Sequence, residues 1–137
     1  MNVLKKISLL ILIIFSNCTA QEEVNALEIT YSAQTRGSSL TISYNSLILE
    51  LKTNNSNKKI VLNKNQKEKL LKEVSKITLT EIANLKAPTN KRFSDGALVG
   101  KFSILKNQKQ YISSEFDHGN PPEELNNLYL LLESLLN

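Results

Sequence analysis

The sequence contains no tryptophan, one cysteine, one histidine, three prolines and four glycines in 137 residues. A lone cysteine, Cys18, excludes an internal disulfide, so the hydrophobic core must hold the fold together. Zinc needs three or four Cys, His or carboxylate ligands in a compact array, and one histidine with one cysteine does not supply it. Neither a P-loop nor a G-x-G-x-x-G string is present, which removes the two commonest phosphate cradles. No metal or cofactor is expected. Long apolar runs are also missing. The most hydrophobic stretch, Ile7 to Phe15, is broken by Ser8 and falls well short of the ~20 residues that span a bilayer.

Charge is present but dispersed. The chain carries 17 basic and 13 acidic side chains. Lys5 and Lys6 precede Cys18 and no acid does, so 15 basic residues face 13 acidic ones from Cys18 onward. Nucleic-acid binding needs a clustered cationic face that displaces counterions. The densest basic stretch, Lys58-Lys59 followed by Lys64, Lys67, Lys69 and Lys72, is interrupted by Asn, Gln and Glu and reads as a solvated helix face. No nucleic-acid partner is expected. Lysine is the default cation, with only Arg36 and Arg92 departing from it. Arginine is the residue that bidentate carboxylate or phosphate recognition requires.

Residues 1–17 read as a lipoprotein-type signal peptide. Lys5 and Lys6 form a charged start, Ile7 to Phe15 an apolar centre, and Ser16-Asn17-Cys18-Thr19-Ala20 a small, polar end. Two cleavages compete. Phe15-Ser16-Asn17-Cys18 resembles a relaxed lipobox, in which Cys18 becomes the lipidated first residue. Cys18-Thr19-Ala20 before Gln21 fits ordinary secretion, leaving a secreted or periplasmic protein. The first is preferred because the only cysteine falls at the end of the apolar run. It implies a lipid anchor in the bacterial envelope, on the outer membrane. Residues 18–26 are then a tether, and residues 27–137 form one domain.

The tether leads into period-two alternation. Leu27, Ile29, Tyr31 and Ala33 define a first strand, Leu40, Ile42 and Tyr44 a second, Leu47 to Thr53 a third, and Ile60 to Leu62 a short fourth. The period then changes. Leu70, Leu71, Val74 and Ile77 share a helix face, with Asn63 or Asn65 as N-cap. Leu79, Ile82 and Leu85 mark one more helical turn, and residues 87–94 an irregular connection. Leu98 to Ile104 and Tyr111 to Phe116 make a fifth and a sixth strand. The last helix has Asn120 as cap, Pro121 in its first turn, Glu123 and Glu124 against the dipole, and a leucine stripe to Leu136 that Leu130 and Leu131 widen. This order, ββββ-α-ββ-α, implies an α+β two-layer sandwich: an antiparallel sheet with helices packed on one face.

Three polar-glycine pairs fall at loops: Arg36-Gly37, Asp95-Gly96 and His118-Gly119. If the last two strands form a hairpin, Asp95 and Asp117-His118 meet at one end of the sheet, and an up-down count of strands brings Arg36 there too. Arg36, Asp95, Asp117 and His118 are therefore the candidate binding rim. The rim has two readings: a binding surface, or an Arg–carboxylate clamp that staples loops, with His118 as a pH-sensitive neighbour. No residue is assigned as catalytic. Function is expected to be non-catalytic binding or scaffolding of an envelope protein or component. Two alternatives stand beside it: a small periplasmic hydrolase using His118 with Asp95 or Asp117, and a periplasmic inhibitor or immunity-type protein.

Arg36-Gly37, Ala87-Pro88, Arg92, Asp95-Gly96-Ala97 and the string Phe116-Asp117-His118-Gly119 with Pro121-Pro122 resemble landmarks of a group of small, uncharacterised lipoproteins or secreted proteins of Gram-negative bacteria. The resemblance covers Tyr31 to Leu136. It implies an envelope location and this architecture, and carries no activity.

Overall fold

The computed structural model describes residues 26–137. The signal peptide, Cys18 and nearly all of the tether lie outside the described residues. The strands are β1 (Glu28–Gln34), β2 (Ser39–Asn45), β3 (Ile48–Thr53), β4 (Asn57–Val61), β5 (Val99–Lys106), β6 (Lys109–Ile112) and β7 (Phe116–Asp117). Two α-helices, α1 (Lys64–Lys76) and α2 (Glu123–Leu136), and two 3₁₀ turns, Leu79–Asn84 and Lys91–Ser94, complete the domain. The sheet is antiparallel with order β4-β3-β2-β1-β5-β6, and β7 pairs with β5. The α+β sandwich with its ββββ-α-ββ-α order is thus observed. Among the described residues, no helix is long and apolar enough to cross a membrane.

Alternation along the strands separates the two faces of the sheet. Ile29, Tyr31, Ala33, Ile42, Tyr44, Leu49, Phe102 and Ile104 are buried under the helices. Thr30, Ser43, Glu50 and Ser103 share cross-strand rows on the opposite, polar face. Leu125, Leu128, Tyr129, Leu132 and Leu136 of α2 and Leu70 and Val74 of α1 close the core. Each such side chain contributes about 1.5–3 kcal/mol on full burial. Leu71, expected on the inner face of α1, is instead exposed, as is Leu130 of α2. Asn63 is the cap of α1 in a capping box: its side chain accepts from the Gln66 amide, and the Gln66 side chain accepts from the Asn63 amide.

Two further expectations need correction. The sixth strand does not run unbroken to Phe116. Ser103 pairs with Ile112 but Gly100 pairs with Phe116. Two residues of β5 therefore oppose three, Ser113 to Glu115, which is a β-bulge. Without the extra residue, Glu115 would stand opposite Gly100 on the buried face. The bulge puts Phe116 there and leaves Glu115 exposed. Ser113 and Ser114 satisfy the disrupted backbone. The Ser113 hydroxyl accepts from the Phe102 amide, and the Ser114 amide and hydroxyl donate to the Ile82 and Leu85 carbonyls.

The second correction concerns Asn120, which does not cap α2. The residue before a proline is pushed out of the α region, so Pro121-Pro122 delays the helix start to Glu123, with Pro122 at the N-cap position and no capping side chain. The Asn120 amide group turns back to donate to the Thr89 hydroxyl at 2.9 Å.

Candidate functional site

The expected rim segments do converge. Gln34 pairs with both Ser39 and Val99, and Val99 pairs with Asp117. The β1–β2 loop with Arg36, the approach to β5 with Asp95, and the turn after β7 with His118 thus lie at one end of the sheet. Gly119, with φ of 79°, sits in the Asp117–Asn120 turn, where the Asn120 amide donates back to the Asp117 carbonyl. That left-handed conformation suits glycine. In the Asp95-Gly96 pair it is Asp95, not Gly96, that takes the left-handed conformation, with φ of 57°.

The four side chains do not form one cluster. Asp117 is the only one of them that is fully buried, at 2% exposure. Its carboxylate accepts four hydrogen bonds: from the Thr89 hydroxyl at 2.5 Å, the Lys91 amide at 2.8 Å, the Arg92 amide at 2.9 Å and Arg92 Nη1 at 3.2 Å. Burial pushes this carboxyl up, but the bonds from Thr89, Arg92 and Lys91 outweigh it and hold it well below the usual carboxylate range. Two of these donors are the first amides of the Lys91–Ser94 turn, whose own preceding residue, Asn90, provides no capping bond. Asp117 therefore acts as a cap delivered from a distant part of the chain.

The cation of the clamp is Arg92, not Arg36. Arg92 Nη1 also donates to the Thr89 carbonyl at 2.7 Å, and the guanidinium lies 4.3 Å from the centre of the Phe93 ring. The Arg92 side chain is 9% exposed, and its Nε is buried without a hydrogen-bond partner. Arg36 and Asp95 are exposed, and among the described residues neither forms an ion pair. The scarcity of arginine singled out Arg36 and Arg92 alike and did not choose between them. No sequence signal identified Thr89 or Phe93.

His118 is half-buried and meets a phenol instead of a carboxylate. Its Nδ1 lies 2.6 Å from the Tyr31 hydroxyl, and the two rings stack at 5.9 Å. Tyr31 is completely buried and packs edge-on against Tyr129, whose hydroxyl donates to Glu133. Burial pushes both phenols far above the usual tyrosine range. For Tyr129, hydrogen bonding to Glu133 and its nearby charge push further in the same direction. A general base paired with a carboxylate needs a hydrogen bond between them. His118 makes none to Asp95 or Asp117, and the Asp117 oxygens are already engaged.

Beside this clamp, the Lys91–Ser94 turn carries Phe93, 77% exposed, the most exposed large hydrophobic side chain among the described residues. The turn is fixed at its start by Asp117 and closed by the Gly96 amide donating to the Lys91 carbonyl. This sheet end thus presents an aromatic face backed by a guanidinium, with Arg36, Asp95 and His118 on the same end. No protein-family model matches the chain, no curated protein matches it and no solved structure matches it.

Proposed function

We propose that this chain is a bacterial envelope lipoprotein, lipidated at Cys18, whose domain is a non-catalytic binding module for another envelope protein. The contact surface is the sheet end that carries Phe93, flanked by Arg36, Asp95 and His118. The observation that carries this reading is the exposure of Phe93 on a turn locked by the Arg92–Asp117 clamp. Aromatic and arginine side chains dominate binding hot spots. A surface ordered before contact also avoids the entropic cost of ordering it on binding.

The direction of β1 supports the same reading. The chain enters the domain at Glu28 and leaves β1 at Gln34, beside the Phe93 end. Seven residues at about 3.3 Å each separate these ends by roughly 20 Å. A lipid on Cys18 joins the chain on the entry side of β1, at the opposite end of the strand from Phe93.

The test is crosslinking and affinity isolation of the tagged full chain from native envelopes, beside a Phe93→Ala/Arg36→Ala variant with an unchanged melting profile. A partner recovered with the native chain and lost with the variant is the expected result. Equal recovery from both would end the assignment of this surface. A chain that is not labelled by fatty acid at Cys18 would end the lipoprotein reading.

A further inference from the structure

A second concave surface lies elsewhere, where the end of α1 and the Leu79–Asn84 turn face the start of α2. The groove measures about 510 Å³, within the range of roughly 300–1,000 Å³ typical of ligand sites. Ile77, Ile82 and Leu85 supply its apolar lining, with Ile82 completely buried. Glu81, Glu123 and Glu124 also line it, all exposed and without an ion pair among the described residues. Its single cation, Lys76, is already paired with Glu73 at 2.6 Å.

We infer that this groove binds a peptide segment of a partner in which lysine or arginine flanks an apolar side chain. Charge decides the class of occupant. Glu123 and Glu124 partly serve the α2 dipole, but a helix N-terminus carries only about +0.5 of a charge. Three carboxylates exceed that several-fold, so the groove stays strongly negative. An anionic membrane surface or an acidic peptide is repelled. A cationic segment is drawn in, and its apolar side chain covers the isoleucine and leucine lining. The Leu125 amide donates to the Pro122 carbonyl, but the Glu123 and Glu124 amides before it have no capping side chain and can meet a peptide carbonyl. The groove shares no lining residue with the Phe93 turn, so the inference stands independently of the function proposed above.

The test uses the full chain in mild detergent, with detergent alone as the blank. The probe is a short fluorescein-labelled peptide of alternating lysine and leucine, compared with its glutamate-for-lysine counterpart by fluorescence anisotropy. Saturable binding of the lysine peptide alone is expected, weakened by salt as surface charges are screened. Glu81→Lys/Glu124→Lys should lower affinity at least about ten-fold, while Phe93→Ala leaves it unchanged. If charge reversal disturbs folding, Glu81→Gln/Glu124→Gln should still weaken binding with an unaltered circular dichroism spectrum. Equal binding of both peptides, no binding, or full affinity in the glutamate variants overturns the inference. So does sedimentation showing that the groove is occupied by a second copy of the chain.

Discussion

The Tyr31 hydroxyl and His118 Nδ1 lie 2.6 Å apart, joining the centre of β1 to a residue 87 positions later in the turn after β7. This contact depends on Gly100. A Cβ there would meet the Tyr31 hydroxyl at 3.0 Å and the Phe116 ring at 3.1 Å. Gly100, Tyr31, Phe116 and His118 thus form one packed unit, with the β-bulge delivering Phe116 and the glycine making room for both rings.

Gly100→Ala should therefore destabilise the domain, by about 1–3 kcal/mol, the usual range for overpacking a filled core. Both neighbouring rings are completely buried and have little freedom to withdraw. Urea unfolding followed by circular dichroism measures it. An unchanged midpoint would mean that the rings have slack.

Alkaline pH should act through the buried phenols. Tyr31, Tyr44 and Tyr129 are all shifted up, chiefly by burial. A raised folded value means that the unfolded chain ionises first. Their contribution to stability is complete below about pH 10, the unfolded value, and is lost as pH rises from there toward the folded values. Tyr31 and Tyr129, the most strongly shifted, should resist phenolate formation well above the usual tyrosine range in the folded chain. Ultraviolet absorbance in native buffer and in denaturant reads the difference. Identical titration curves would contradict this packing.

Acid should act through Asp117 in the opposite sense. Its folded value is depressed by Thr89, Arg92 and Lys91 against the effect of burial. Its stabilising contribution is therefore present above about pH 4, the ordinary carboxylate range, and is lost as pH falls from there through the folded value. Asp117→Asn should lower the melting temperature clearly at neutral pH and flatten the acid limb of the stability profile. It removes the charge facing Arg92, whose side chain is 9% exposed. Asp95→Asn, exposed and compatible with the left-handed backbone, should stay within about 0.5 kcal/mol of the native chain. Equal effects at the two positions would show that the clamp is energetically idle.

Asn63→Ala should cost about 1 kcal/mol, the usual loss when an N-cap side chain is removed. The bond from the Gln66 amide to the Asn63 side chain goes with it, while the backbone amide of residue 63 can still donate to the Gln66 side chain. Thermal unfolding at neutral pH reports the change. A null result would mean that packing of Leu70 and Val74 alone holds the start of α1.

Local pattern accounts for most of the architecture. Tyr31, Ile42 and Phe102 lie inside because side chains alternate in strands, and Leu125, Leu128 and Leu132 lie inside because helical spacing aligns them. Residue type at the helix start narrowed the cap to Asn63 or Asn65, and the structure selects Asn63. Local pattern failed at Ser113 to Glu115, where a single extra residue reverses the faces. No periodic count reveals such an insertion, because the choice of Phe116 over Glu115 is made by the core. It failed again at Asn120, although Pro121-Pro122 carried the steric information needed to move the helix start.

The candidate site was legible in part for a similar reason. Strand direction is enough to bring the Arg36, Asp95 and Asp117 segments to one end of the sheet, because antiparallel pairing dictates where each strand begins and ends. Which side chains then bond is a matter of ångströms. The chain by itself determined the first five strands, the existence and order of the two helices and the shared sheet end, since these follow from periodicity and backbone sterics. Only the tertiary structure decided that Arg92 instead of Arg36 grips Asp117, that His118 meets Tyr31 instead of an acid, and that Phe93 is left in solvent. A buried charge takes the partner whose backbone amides and guanidinium reach it together, and that choice depends on how the crossover connection packs against the sheet.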